Sequence, residues 1–215
     1  MRVAPIRKIV AVAIAAALLQ ACQPLTRPEP IGTPPPVGTG WRSVASAEDQ
    51  ARLDQLANAW TEALTAARGA GFARQIAGEG PLLQAEALPR AAPSPGPYRC
   101  RIIRLGAPRP GRAYASFAPY FCYVTVEGEQ LGLTKQTGSE RPAGFLWDDG
   151  SDRLIFVGAV ALGNEARPPA YGDNAGRNLV GILERVGTYR YRVAMPRPAG
   201  VAVLDVLEMV PVVDD

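Results

Sequence analysis

Lys135, Thr137, Ser139, Glu140 and Arg141 crowd into the stretch LTKQTGSERP. A serine near a lysine is the smallest pair that supports histidine-free acyl transfer, the amine taking the hydroxyl proton. The same lysine, with Arg141, suits a carboxylate or phosphate contact. Gly138-Ser139 is also ordinary turn material between two strand-like runs. Alternation sends Lys135 and Thr137 to the face that carries Leu131 and Leu133, which marks Lys135 as a residue at the rim of an apolar interior. A solvated, charged hairpin edge is therefore the first expectation, and anion binding by Lys135, Thr137, Ser139 and Arg141 the second.

The wider inventory excludes more chemistry than it offers. The chain has no histidine, so Ser-His and Cys-His mechanisms are ruled out. No pair of carboxylates has a recognisable catalytic spacing. Asp148, Asp149 and Asp152 form a DDGSD turn whose spacing does not match a calcium loop, so no metal is expected. Tyr171 and Asp173 lie in a long loop, 161–177, and are candidates for touching a ligand or partner. No cofactor is called for, and the expectation is a protein that is not an enzyme.

Charge points the same way. Arg2, Arg7 and Lys8 belong to the N-terminal leader. Without them the 23 basic residues fall to 20, against 20 acidic ones. A near-neutral chain with no basic face is not expected to bind nucleic acid.

These residues need a scaffold to position them. From residue 98 the pattern is one of short β-like runs: 98–105, 117–126, 130–136, 140–147, 153–160, 178–186, 189–195 and 201–210. Most connections are too short for a parallel crossover, so neighbouring strands are expected to be antiparallel. The fold class is thus mainly β (α+β): an eight-stranded meander closed as an up-and-down barrel or strongly curled sheet. An amphipathic helix over 47–68, capped by Ser46 with Asp49, packs on it through Leu53, Leu56, Trp60 and Leu64. A short second helix over 72–77 and a Pro-rich loop complete the segment 41–97. Phe117, Phe121, Phe145, Trp147, Phe156, Tyr189 and Tyr191 supply enough bulk to fill the barrel. The sequence midpoint of Cys100 and Cys122 is Gly111, inside the turn 108–112, so a hairpin there sets the two cysteines opposite each other as a disulfide.

Residues 1–22 carry a basic start, an apolar run too short to cross a bilayer, and Leu19-Gln20-Ala21-Cys22. This resembles the lipobox of bacterial lipoproteins. The resemblance implies export, acylation of Cys22 and cleavage before it, with Gln23 favouring the outer membrane, facing the periplasm. Residues 23–40, rich in Pro and Gly, are expected to be an extended tether of up to roughly 55 Å, leaving 41–215 as one domain, with its β region over 98–215.

Several motifs together, Gly80-Pro81-Leu82-Leu83, Pro97-Tyr98-Arg99-Cys100-Arg101, Thr137-Gly138-Ser139-Glu140-Arg141 and Asp205-Val206-Leu207-Glu208-Met209-Val210-Pro211 among them, resemble a family of exported Gram-negative proteins described only as a domain of unknown function. That resemblance implies a shared fold and no activity. The meander is similar in architecture to lipocalin-type small barrels. The functional expectation is a lipid-anchored envelope protein that binds a small apolar or amphipathic ligand. The alternative is an inhibitor or chaperone-like binder of another envelope protein. A histidine-independent acid-base hydrolase ranks third.

Overall fold

The computed structural model describes residues 31, 34, 36, 38–107 and 112–212. The expected leader with Cys22, most of the expected tether and the expected turn at 108–112 (apart from Arg112) lie outside them. Nine strands form one sheet: β1 (Gly96–Leu105), β2 (Tyr114–Ser116), β3 (Tyr120–Glu127), β4 (Gln130–Lys135), β5 (Glu140–Asp148), β6 (Leu154–Leu162), β7 (Asn178–Gly187), β8 (Arg190–Pro196) and β9 (Leu204–Pro211). Each pairs antiparallel with its neighbour, and β1 pairs with β9 from Tyr98↔Pro211 to Leu105↔Leu204, which closes a barrel. β2 and β3 both lie along β1, at Ile103–Leu105 and at Gly96–Cys100 respectively. They are two halves of one broken barrel strand, so the barrel has eight staves.

Beyond shifts of one or two residues at element ends, three expected elements differ. The expected strand 117–126 starts only at Tyr120, after Pro119, which has no N–H for the ladder, and the separate strand β2 (Tyr114–Ser116) precedes it where a connection is expected. The last strand starts at Leu204 rather than Val201, because Pro198–Gly200 forms a 3-10 turn entered by Arg197 at φ 46°. The expected helix 47–68 is two helices, α2 (Ala47–Asp54) and α3 (Leu56–Gly69), broken at Gln55. The Ser46 cap is present: its side chain accepts the Asp49 N–H at 3.1 Å. α1 (Trp41–Val44) precedes them and α4 (Ala73–Gly78) follows.

Apolar packing occurs in three places. Inside the barrel, Tyr98, Phe156, Tyr191, Met209 and their neighbours fill the lumen. Outside, α3, α4 and the 3-10 turn Gly80–Leu83 cover Ile103, Leu105, Ala194 and Val206. α1 and α2 cover Trp147, Ile155, Val157 and Ile182. The helices thus wrap the wall rather than plug an end. Two-sided cover explains why β6 is buried from Leu154 through Ala161 and shows no alternation. It also corrects the expected filling. Of the seven aromatics, Phe156 and Tyr191 enter the lumen. Trp147 and Phe145 pack under the helices, and Phe117, Phe121 and Tyr189 are exposed.

Arg192 fastens the helical cover. It points outward from β8 yet is 2% exposed. Its guanidinium pairs with Glu184 and donates to the carbonyls of Pro81, Leu82, Gln84 and Ala85, beneath the ring of Trp60.

Cys100 and Cys122 form a disulfide with their Cα atoms 5.9 Å apart. They are not directly opposed: Cys122 pairs with Tyr98, and Cys100 with Tyr120. The bond therefore runs diagonally across the lumen face of β1 and β3. Replacing Cys100 with alanine should lower stability by about 3 kcal/mol, because the closed loop no longer restricts the unfolded chain. Urea unfolding of the variant beside the wild type reads this; an unchanged midpoint would contradict it.

Candidate functional site at the barrel mouth

The lumen is packed at the end where β1 begins and open at the end where β1 finishes. The open end holds a cavity of about 450 Å³. Ile102, Pro142, Val160, Leu162, Leu179 and Met195 make its apolar wall. They come from the mouth ends of five strands, all facing inward by alternation. Asn174, Gly176 and Arg177 of the β6–β7 loop and Pro198 and Val201 of the β8–β9 loop border it from above.

A charged group sits in this wall. Arg104 Nε donates to Asp205 Oδ1 and Oδ2 at 2.9 and 3.2 Å. Its Nη2 donates to Asp205 at 2.7 Å and to Glu140 at 2.8 Å. Asp205 is 2% exposed. Burial is the main influence on its carboxyl and raises its pKa, with Glu140 adding to the rise and Arg104 opposing it. Burial also works against the Arg104 charge, but its two carboxylate partners outweigh that and hold its proton more firmly than usual. Among the described residues no acceptor lies on Arg104 Nη1, so two N–H donors remain for something else.

Lys135 faces the lumen at the same end, as its shared face with Leu133 implies. It is 3% exposed. Its Nζ donates to the Glu140 carbonyl at 2.5 Å and lies 4.0 Å from the Tyr120 ring centre. Burial pulls its pKa down to about 8; the Glu140 charge resists, and Arg141 and Arg104 add to the fall. The unfolded chain loses this proton near 10.5, so between pH 8 and 10.5 it binds more protons than the folded one. On this group's account stability should rise with pH across that window, the burial penalty being complete below it. Melting curves of the wild type and of Lys135→Met from pH 7 to 10.5 should converge or cross accordingly, and parallel curves would rule the effect out.

The remaining sequence candidates shape the rim. Thr137 and Ser139 are exposed. Thr137 Oγ1 accepts the Phe121 N–H at 3.4 Å, and the Ser139 carbonyl accepts the Gly163 N–H at 2.8 Å. Arg141 donates to the carbonyls of Gly138, Gly163 and Glu165, stapling the β6–β7 loop to the hairpin. Tyr171 accepts the Ser46 N–H at 2.9 Å and donates to buried Asp49, which ties that loop to α2. Asp173 accepts the Ala170 N–H at 3.2 Å inside the loop. Asp149 is held by Trp41 Nε1 and Arg153. Among the described residues no three His, Cys, Asp or Glu side chains are grouped as a metal would need.

Alternation alone signals Arg104: it shares the parity of Cys100 and Ile102, and so belongs inside, whereas Arg99 and Arg101 point out. β1 thus carries three arginines, of which Arg99 and Arg101 face outward and Arg104 faces the lumen.

A second, larger groove of about 580 Å³ lies outside the barrel, between the helices and β6–β8. Trp41, Leu56 and Trp60 wall it, over a floor of Ile155, Ile182 and Ala194.

A sequence-family profile, DUF4893, described as a domain of unknown function, matches residues 41–209. No curated protein and no solved structure matches the chain.

Proposed function

Because the chain belongs to the DUF4893 family, which is described only as a domain of unknown function, we propose from its own geometry that it is a lipid-anchored envelope protein whose barrel mouth binds one small amphipathic ligand. One observation carries the reading: an apolar cavity of about 450 Å³ with uncommitted Arg104 donors in its wall. That size is within the range of small-molecule sites, and few polar groups in an apolar pocket are what orients a ligand. The tail would lie along Val160, Leu179 and Met195, and a hydrogen-bond acceptor on the head would meet Arg104 Nη1. No reaction is assigned. The anchor reading draws on the Leu19–Cys22 signal, with the domain held at the outer membrane and facing the periplasm.

The test is native mass spectrometry of protein extracted from its own membrane, followed by titration of the stripped protein with a fluorescent medium-chain carboxylate. A co-purifying small molecule and saturable binding are expected. Leu162→Trp, which narrows the mouth at a half-exposed position, should weaken binding about tenfold or more. Absence of any adduct together with unsaturable binding would overturn the ligand reading. Cys22→Ser should move the protein to the soluble fraction, and unchanged fractionation would overturn the anchor.

A second reading, an inhibitor or chaperone-like binder of another envelope protein, draws support from the Trp41–Trp60 groove. Pull-down of a specific partner that is lost in Trp60→Ala, with ligand titration negative, would favour it.

A further inference from the structure

The outer wall of β3–β5 carries a polar and apolar groove that neither function reading uses. Its centre is Gly132, which points outward from β4 because Leu131 and Leu133 flank it on the lumen side. A Cβ at Gly132 would stand 2.6 Å from Ile31 Cδ1 and 2.6 Å from Thr125 Oγ1. The glycine thus leaves the hollow into which Ile31 fits.

The backbone of Ile31 is held as well. Its N–H donates to Glu127 Oε1 at 3.3 Å. Thr125 Oγ1 donates to the same oxygen at 2.9 Å and sets the carboxylate's direction. Glu127 is 8% exposed, and burying a carboxylate on the outside of a barrel is costly unless something covers and pairs with it. Its other oxygen, Oε2, and Thr134 Oγ1 are buried without a hydrogen-bond partner among the described residues. They are spare acceptors in the groove that receives Ile31. On either side of Ile31 lie cavities of about 360 and 200 Å³. Ala143 borders both, Ala161 the first and Phe145 the second.

We propose that this wall is a built seat for the chain's own N-terminal segment, with Ile31 as its apolar anchor and Glu127 as the acceptor that fixes its backbone. The segment ahead of the domain is then not a free tether along its whole length. If Cys22 is the anchor, as proposed above, the spacer from it is residues 23–30, at most about 25 Å of chain, in place of roughly 55 Å. The domain would be held by the β3–β5 side of its barrel. This inference is independent of what, if anything, the mouth binds.

Hydrogen exchange and methyl NMR on the full mature chain test it. In the wild type, the Ile31 δ1 methyl should show an NOE to the Gly132 α protons, and the Ile31 amide should exchange about tenfold or more slower than a coil amide. Ile31→Asp places a carboxylate against Glu127 and should return the residue 31 amide to the coil rate, with β3 and β4 amides unaffected. Gly132→Val should do the same with Ile31 retained. If that variant does not fold, Ile31→Asp still decides, since residue 31 lies outside the sheet. A coil-rate Ile31 amide and no NOE in the wild type would overturn the proposal. So would protection that persists in Ile31→Asp, or protection that appears only at high protein concentration and therefore comes from a second copy.

Discussion

Arg192→Met is expected to destabilise the domain by about 3–5 kcal/mol, the usual cost of removing one partner from a buried charged pair. The loss has two parts. Glu184 is left without its cation, and the carbonyls of Pro81, Leu82, Gln84 and Ala85 lose their donors together. Each buried acceptor left unpaired carries its own desolvation penalty. Methionine matches the stem length and keeps much of the packing against Trp60, so the deficit belongs to the guanidinium. Lysine should recover little, because one ammonium does not reproduce a planar fork that reaches a carboxylate and several carbonyls at once. Urea unfolding supplies the magnitude, and hydrogen exchange over residues 80–85 supplies the location. A loss below 1 kcal/mol with those amides still protected would show that the helical cover is held by apolar packing alone.

Gly158→Ala should be about as damaging, at 3 kcal/mol or more, which is the upper end for forcing atoms into a packed interior. Gly158 pairs with Gly144 across β5 and β6. A Cβ on Gly158 would stand 2.2 Å from the Ala143 carbonyl oxygen and 2.7 Å from Gly144 Cα. A Cβ on Gly144 would stand 2.3 Å from the Val157 carbonyl oxygen. The obstruction is backbone in both directions, so no side chain can rotate away, and relief requires the two strands to part. Gly144→Ala should therefore resemble Gly158→Ala, and the double variant should cost less than the sum, because the ladder is already open after the first change. Thermal melts of the three variants check this; additive losses would mean that each glycine matters for its own reason.

The two cases also show what was legible in the sequence. The meander, its antiparallel sense and the Cys100–Cys122 bond followed from short turns and spacing, which are local. The break at Pro119 and the stop at Gln55 escaped, the first because a proline reads equally well as a strand start. Burial on both faces was the larger loss. β6 reads as one apolar run, LIFVGAVAL, and nothing local tells that its outer side lies beneath α1 and α2. For the same reason Trp147 passed for a lumen residue. At the mouth, parity with Leu133 gave the side of the sheet on which Lys135 lies, but not its burial, which depends on Tyr120 and the Glu140 carbonyl closing over it. Arg104 has the parity of Cys100, which puts it inside. Its partner Asp205 comes from 101 positions away, and only closure of the barrel brings the two together.

That closure also governs how the molecule is made. The seam joins β1 to β9 along Tyr98↔Pro211 through Leu105↔Leu204, the first and last strands of the β region. All other neighbours in the barrel are consecutive in sequence and can zip as hairpins when they meet. The seam alone must wait until the final strand is available, and it carries the loop-closure entropy of everything between. Antiparallel barrels that must close such a seam fold in milliseconds to seconds rather than microseconds. Until then β1 and β9 each present an unpaired edge, the kind of surface that recruits other strands. The short β2 and the diagonal disulfide both act on β1, engaging one side of it early while its other edge waits for β9.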